Sequence, residues 1–197
     1  SEFDVDLLQR DAWRQEVRVL RSALLAFNDG HVFLEFVVPR LGKRIDAVLL
    51  LHGRLIVLEF KVGARFFARA DIDQVWDYAL DLKNFHETSR DRSIWPGLVI
   101  TGNSGRLAEG EERAEDKVAE PTLVSSDRLG EWLARVAGPR AEEAPAANEW
   151  QRGRYRPTPT IIEAATSLYR RHSVKEIARH DAGAKNLAQT SAAVARI

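Results

Sequence analysis

Residues 43–63 read KRIDAVLLLHGRLIVLEFKVG, so that two apolar runs flank His52-Gly53. Apolar runs on either side of a short turn predict a β-hairpin. A turn centred on these two residues places Asp46 opposite Glu59 and Arg44 opposite Lys61. Side chains alternate along a strand, and directly opposed Cβ atoms lie roughly 4.5–5.5 Å apart. We therefore expect these four charged side chains to project from one face of a sheet.

The preceding residues extend this pattern to a third strand. Pro39-Arg40-Leu41-Gly42 predicts a turn from the strand 32–38 into the hairpin, and that turn places Glu35 opposite Asp46. Glu35, Asp46 and Glu59 then form one row. A slip of one residue in either hairpin would move one carboxylate to the other face. The other face is expected to carry the apolar side chains Ile45, Ala47, Leu49, Leu51, Ile56, Leu58 and Phe60.

Two carboxylates at this spacing repel each other unless a cation lies between them. Carboxylate and carbonyl oxygens are the ligands that Mg²⁺ prefers. Asp46, Glu59 and the backbone carbonyl of Phe60 are therefore candidate metal ligands, with Glu35 as a further one, and Lys61 stands beside them. The simpler alternative is that these residues are ordinary charges at strand ends.

Composition narrows the classes of protein to consider. The chain has 197 residues, 45% of them hydrophobic, with five tryptophans and no cysteine. This length fits one domain with an appendage, and disulfides, thiolate metal sites and cysteine nucleophiles are excluded. No apolar run approaches the roughly 20 residues needed to cross a bilayer. We expect a cytoplasmic protein with no membrane partner. The net charge of zero gives no general argument for a polyanionic partner.

The rest of the chain predicts a helix before the three strands and a helix after them. The first runs from Asp6 to Asn28 with an apolar stripe, and Glu16 lies at the edge of that stripe. The second begins with Asp71 as its N-cap and ends near His86. Further elements are the strands 97–101 and 121–125 and a helix from Ser126 to Ala137, with a polar, acidic loop over 102–120.

Three segments are predicted along the chain. Residues 4–137 form the main domain, and residues 138–156 form a linker, because 138–148 is rich in Ala, Pro and Glu. Residues 157–197 form a small C-terminal helical extension. Residues 151–197 hold nine Lys and Arg against three Asp and Glu, which makes this end of the chain basic.

The predicted order αβββαβ, with Asp46 followed by Glu59-Phe60-Lys61 on the next strand, resembles the PD-(D/E)XK nuclease superfamily. Ile45 stands where the motif has its proline. The resemblance implies an α/β restriction-endonuclease-like core with a mixed sheet. It further implies that Asp46 and Glu59 bind one or two Mg²⁺ or Mn²⁺ ions and that Lys61 positions the attacking water.

Gln74-Val-Trp-Asp-Tyr78 is similar to the Q-x-x-x-Y feature of the RecB-like branch. Gln74 and Tyr78 lie one helical turn apart, on one face. Gln74 then joins the catalytic set, while Arg44, Arg40 and Tyr78 are candidates for DNA contact. Two alternatives stay open: Gln74 as the partner of Asp71 in a capping box, and Tyr78 as a core aromatic. Glu16 is a further candidate metal ligand, from the first helix.

Longer strings resemble the region ahead of the motor in bacterial Schlafen group 3-like DNA/RNA helicases. These strings are 39–46, 57–63, 73–86 and 155–165. The resemblance implies a metal-dependent deoxyribonuclease domain whose partners are DNA, single-stranded or branched, and a helicase/ATPase domain of the same polypeptide. DNA repair or phage defence would be its setting. The competing class is a catalytically silent nuclease fold that binds DNA or docks on the motor.

Overall fold

The computed structural model describes residues 2–38, 42–111, 117–139 and 147–155, with side chains from residue 10 onward except that of residue 147. These residues form an α/β fold, as predicted. The helices and strands are α1 (Glu2–Ala23), β1 (His31–Val38), β2 (Lys43–Leu51), β3 (Arg54–Lys61), α2 (Arg69–Phe85), β4 (Ile94–Ile100), β5 (Leu107–Ala108), β6 (Thr122–Ser125), α3 (Leu129–Ala137) and α4 (Ala147–Gln151). The first six follow the predicted order α, β, β, β, α, β.

The strands form one mixed sheet in the order β1-β2-β3-β4-β6-β5. The first three strands are antiparallel, whereas β3 with β4 and β4 with β6 are parallel. The predicted register of both hairpins is confirmed, because Val48 pairs with Val57 on one side and with Phe33 on the other. His52 and Gly53 both have positive φ, 49° and 86°. This is the backbone that a two-residue hairpin turn requires.

Apolar side chains cover both faces of the sheet. One layer packs between the sheet and helices α1 and α3 and contains Leu49, Ile56, Leu58 and Trp132. The other packs between the sheet and helices α2 and α4 and contains Val48, Val57, Tyr78, Leu82 and Trp150. Strands covered on both faces read as nearly continuous apolar runs, as β2 and β3 do.

The alternation of side chains changes phase at Glu35 and Asp46. The ladder between β1 and β2 pairs Leu34 with Ala47 and then Phe36 with Ile45, and it omits the residues between them. Glu35 has a φ of 52°, which a side-chain-bearing residue rarely adopts in a strand. Ile45 consequently joins the α2 layer together with Val48. The predicted face of Ile45 is therefore wrong.

The boundaries of the helices also differ from the sequence prediction. Helix α1 runs over Glu2–Ala23 instead of 6–28. Helix α2 begins at Arg69, and its N-cap is Ala68, which makes no side-chain capping bond. Asp71 lies in the first turn and is not the N-cap, so the capping-box interpretation of Gln74 is wrong. The predicted loop 102–120 contains the short strand β5.

The second half of the predicted linker is packed into the domain. Trp150 on α4 is fully buried, and its ring lies 4.7 Å from that of Phe33 and 5.0 Å from that of Phe36. Its indole N–H donates a 3.0 Å hydrogen bond to Ser89 Oγ. The sequence-based domain boundary at residue 137 is thus too early, because the apolar anchor follows the Ala/Pro/Glu-rich segment. The predicted connector 157–197 lies outside the described residues. None of the described helices has the length and apolar character that crossing a bilayer requires.

Replacing Trp150 by alanine tests the role of α4 in the core. Truncating a buried aromatic side chain costs about 3–5 kcal/mol in the free energy of unfolding. We expect Trp150→Ala to lower stability by that amount in urea denaturation. Trp13→Ala is the control, because Trp13 is 47% exposed, and it should cost far less. Equal losses in the two variants would contradict the assignment of α4 to the core.

Candidate active site

Strands β2 and β3 part next to Asp46. Their ladder ends at the pair Ala47 and Leu58. Beyond it, the backbone N–H of Phe60 donates a 2.7 Å hydrogen bond to Asp46 Oδ2. A side-chain carboxylate thus satisfies a backbone donor that the ladder leaves unpaired. The register brings Asp46 beside the start of the Glu59-Phe60-Lys61 segment, although Asp46 and Glu59 are not partners in the ladder.

Glu59 is the buried acid of the group. Glu59 is 5% exposed. Its Oε1 accepts hydrogen bonds from Lys61 Nζ at 3.0 Å and from Gln74 Nε2 at 2.9 Å. Its Oε2 is buried and has no hydrogen-bond partner in the described part of the chain. A buried charged oxygen without a partner is costly. Oε2 is therefore an open ligand position.

Lys61 contacts three side chains. Its Nζ donates hydrogen bonds to Glu59 Oε1 at 3.0 Å and to Gln74 Oε1 at 3.2 Å, and it forms a 3.3 Å ion pair with Asp71. An ammonium group has three protons, and two of them are used in these hydrogen bonds. Burial lowers the pKa of Lys61, but hydrogen bonding to Glu59 and the charges of Glu59 and Asp71 outweigh this, and the net shift is upward. Lys61 is a fixed cation beside the acids.

Gln74 connects the strand to Tyr78 on helix α2. One amide proton of Gln74 goes to Glu59, and the other goes to the Tyr78 hydroxyl at 2.8 Å. Tyr78 is 2% exposed and belongs to the apolar layer under α2. It is thus a core aromatic whose hydroxyl orients Gln74. Its burial leaves little surface for the DNA contact that the sequence suggested.

Glu35 and Glu16 complete the acidic surroundings. Glu35 forms a 2.9 Å ion pair with Arg44. Arg44 therefore lies against β1 and not, as predicted, opposite Lys61, because the β2–β3 ladder stops before it reaches these residues. Glu16, on α1, experiences the charges of Asp46, Glu35 and Glu59. Helix α1 thereby brings a further carboxylate toward the row.

The electrostatics of the acids are unfavourable when no cation is present. Burial, followed by the charges of Asp46, Glu35 and Glu59, raises the pKa of Glu16 to about 7. Burial and the charge of Asp46 raise the pKa of Glu59 to about 7. Burial also raises the pKa of Asp46, against the opposing hydrogen bond from Phe60. The Asp46 and Glu59 carboxyl groups are close enough to share a proton.

These residues fit a divalent cation. Two ionised carboxylates cannot hydrogen bond to each other, so the open Glu59 Oε2 calls for a proton or a cation. Mg²⁺ is often bound by one or two carboxylates, with waters and substrate phosphates as its other ligands. Within the described ranges, no three Asp, Glu or His side chains form a complete metal cage. These residues therefore fit an ion that has Asp46 and Glu59 as its protein ligands and whose other coordination positions are left for water or substrate.

Three further residues belong to the predicted or observed site: Arg40, Phe60 and Asp71. Arg40 lies outside the described residues. The Phe60 carbonyl stays a prediction, since the contact that the structure shows for its peptide is made by the N–H. Asp71 is the residue that sequence reasoning missed, because it was interpreted as a helix cap. Asp71 and Gln74 are three residues apart on α2, and such residues share a helix face. That spacing could have identified Asp71 as a neighbour of Lys61.

Comparisons with protein-family models, with curated proteins and with solved structures found no match to this chain. Any assignment of function therefore depends on the chemistry of this site and on the resemblance described above.

The raised pKa of Glu59 predicts a pH-dependent stability. A carboxyl group whose folded pKa lies above its unfolded value stabilises the protein below the unfolded pKa, and this stabilisation is lost as pH rises toward the folded pKa. For Glu59 the window runs from 4.5 to about 7. Glutamine mimics the protonated acid. We therefore compare the free energies of unfolding of Glu59→Gln and of the wild type in EDTA. The value for Glu59→Gln minus that for the wild type should rise by roughly 1–3 kcal/mol between pH 4.5 and 7.5.

Measuring the difference between two proteins removes the contribution of His86. Burial lowers the pKa of His86 to about 4, so its contribution to stability changes with pH in the opposite direction. Urea denaturation at several pH values gives the two curves, and Glu111→Gln, at an exposed position, is the control. Parallel curves for the wild type and Glu59→Gln would show that Glu59 is not held in an unfavourable environment.

Proposed function

We propose that this chain is a metal-dependent nuclease domain that hydrolyses DNA phosphodiester bonds with Mg²⁺ or Mn²⁺. The observation that carries the proposal is the approach of the Asp46 and Glu59 carboxyl groups beside Lys61, with Glu59 Oε2 buried and open. Structural ion pairs also perturb pKa values. Here, however, two buried carboxyl groups lie close to each other, and Lys61 is paired with Glu59 alone of these two.

The protein's own residues have separable roles in this proposal. Asp46 and Glu59 would hold one or two ions, with Glu35 and Glu16 as acids of the wider surroundings. Such an ion, when bound, supplies Lewis acidity and neutralises charge that builds up on the phosphate. Lys61 orients the attacking water or contacts the phosphate by hydrogen bonds from Nζ. Asp71 and Gln74 hold that ammonium in place, and Tyr78 orients Gln74.

The fold supports the proposal at a coarser level. The element order and the mixed sheet are those expected of a restriction-endonuclease-like core. The acids lie near the carboxyl end of β3, which runs parallel to β4. Ligands of open α/β sheets commonly bind outside the carboxyl ends of the strands. DNA as the substrate and a helicase domain as the natural neighbour rest on the sequence resemblance.

A specific observation favours the catalytically silent alternative. Lys61 already forms ion pairs with two carboxylates, Glu59 and Asp71, and a hydrogen bond to Gln74. A lysine satisfied in this way can serve as a structural counter-ion that replaces a metal. In that case the domain would bind DNA or dock on a motor without cleaving a strand.

Cleavage assays with variants distinguish the two functions. Single-stranded and nicked DNA should be cut in Mg²⁺ or Mn²⁺ and not in EDTA. Asp46→Ala, Glu59→Ala and Lys61→Ala should each reduce the rate at least about 100-fold, since removing a group that stabilises developing charge costs about 2.7–4 kcal/mol. The measurement is the initial cleavage rate on a labelled strand.

Matched controls separate a local effect from unfolding. Lys43→Ala and Glu111→Gln alter the same residue types at exposed positions and should leave the rate unchanged. Circular dichroism should show that each site variant is folded. Full cleavage by Glu59→Ala would point to another site or to a contaminating nuclease. Mg²⁺ that leaves the melting temperature of the wild type unchanged, together with no cleavage, would favour the silent module.

A further inference from the structure

The loop after Lys61 carries an exposed aromatic residue. Residues 62–68 connect β3 to α2, and Phe66 in this loop is 79% exposed. The loop begins and ends at the candidate site, because Lys61 at one end and Asp71 in the first turn of α2 form an ion pair. Arg65, which precedes Phe66, is also exposed. An exposed aromatic residue and an exposed arginine thus follow each other in the loop that connects the site residues Lys61 and Asp71.

Hydrogen bonds fix the backbone of this loop. Thr101 Oγ1 accepts a 2.8 Å bond from the N–H of Gly63, and the N–H of Gly102 donates to the Ala64 carbonyl at 2.9 Å. Asn103 Nδ2 donates to the Arg65 carbonyl at 3.1 Å. A Cβ at Gly102 would lie 2.4 Å from the Gly63 carbonyl oxygen, so the two segments are in close contact. The loop is therefore held at the carboxyl end of β4.

This anchoring distinguishes Phe66 from an ordinary surface residue. The next residue, Phe67, packs against the layer under α2, whereas Phe66 faces solvent. Isolated apolar residues on a surface are common. Phe66, however, directly follows Arg65, whose carbonyl is hydrogen bonded to Asn103, and it belongs to the loop that connects two residues of the site. The backbone that carries Phe66 is thus ordered before any ligand arrives, which lowers the entropic cost of binding.

From this geometry we infer that Phe66 and Arg65 form a binding site for one unpaired nucleotide of the substrate strand, with the base stacked on Phe66 and a phosphate on Arg65. The inference rests on the proposed function and adds its substrate class, which is nucleic acid with an unpaired base. Every base has a π-face, so stacking on Phe66 would be tolerant of sequence. A fully paired duplex keeps its bases stacked on each other and offers no free face.

Binding measurements test this inference without cleavage. The protein is the full 197-residue chain carrying Glu59→Gln, in EDTA, and the probe is a 15-nucleotide single strand with 2-aminopurine at a central position. Base–aromatic stacking contributes about 1–3 kcal/mol per base. We therefore expect Phe66→Ala to weaken binding about 5- to 150-fold. The change in 2-aminopurine fluorescence on binding should be lost.

Other variants separate stacking from general apolar contact. Phe66→Trp should bind as tightly as phenylalanine or more tightly, whereas Phe66→Leu should behave like alanine because leucine has no π-face. Arg65→Ala should weaken binding and reduce its dependence on salt. Leu25→Ala is the matched control, since Leu25 is 82% exposed on the segment after α1, and it should leave affinity unchanged. A blunt duplex of the same sequence should bind more weakly than the single strand.

Three outcomes would overturn the inference. These are Phe66→Leu binding as well as the wild-type residue, Phe66→Ala having no effect, and the single strand failing to bind. Failure of the proposed function is a different result. If binding depends on Phe66 but the wild-type chain cuts no strand in Mg²⁺ or Mn²⁺, the nucleotide site stands and the nuclease activity does not. If strands are cut but Phe66→Ala binds and cuts normally, only the nucleotide site is wrong.

Discussion

The hydrogen bond from the Phe60 N–H to Asp46 Oδ2 is the contact on which the rest of the site depends. It replaces a bond of the β2–β3 ladder, and it holds Asp46 where the two strands part. The carboxylate of Glu59 can then approach Asp46, and helix α2 can supply Gln74 and Asp71 to Lys61. In a regular ladder, the N–H of Phe60 would donate to a backbone carbonyl of β2 and not to the Asp46 side chain. Asp46 would then lose the partner that fixes its orientation.

The acids are placed where they destabilise the fold, and the apolar layers offset this cost. Glu59 and Asp46 both have raised pKa values, with burial as the largest cause. On either side of the sheet, Trp132 and Trp150 are fully buried and fix the helices that close the two layers. Groups with strongly perturbed pKa values cluster at functional sites, where stability is given up for chemistry. A divalent cation between Asp46 and Glu59 would remove the repulsion, which is why these residues fit one.

Much of the sheet could be predicted from the sequence, whereas the positions of the helices on the sheet could not. His52-Gly53 fixes one turn, and the apolar residues on both strands leave no other register that buries them, so the pairing of Val48 with Val57 was predictable. The positive φ of Glu35 was not, because no glycine marks it. The proximity of Glu16 depends on how α1 packs, and the helical period gives a face of the helix without its position on the sheet. Trp150 was missed because a five-residue helix is too short to show a period.

A crystal structure of the protein with Mn²⁺ at neutral pH tests the central claim most directly. Anomalous scattering identifies manganese independently of the protein atoms. We expect an anomalous peak about 2.2 Å from a carboxylate oxygen of Asp46 and from Oε2 of Glu59, the distance typical of such ligands. Lys61 should remain in contact with the Glu59 carboxylate or turn toward the ion's outer ligands. A fully occupied Mn²⁺ at another position, or no peak between Asp46 and Glu59 at millimolar Mn²⁺, would contradict the account.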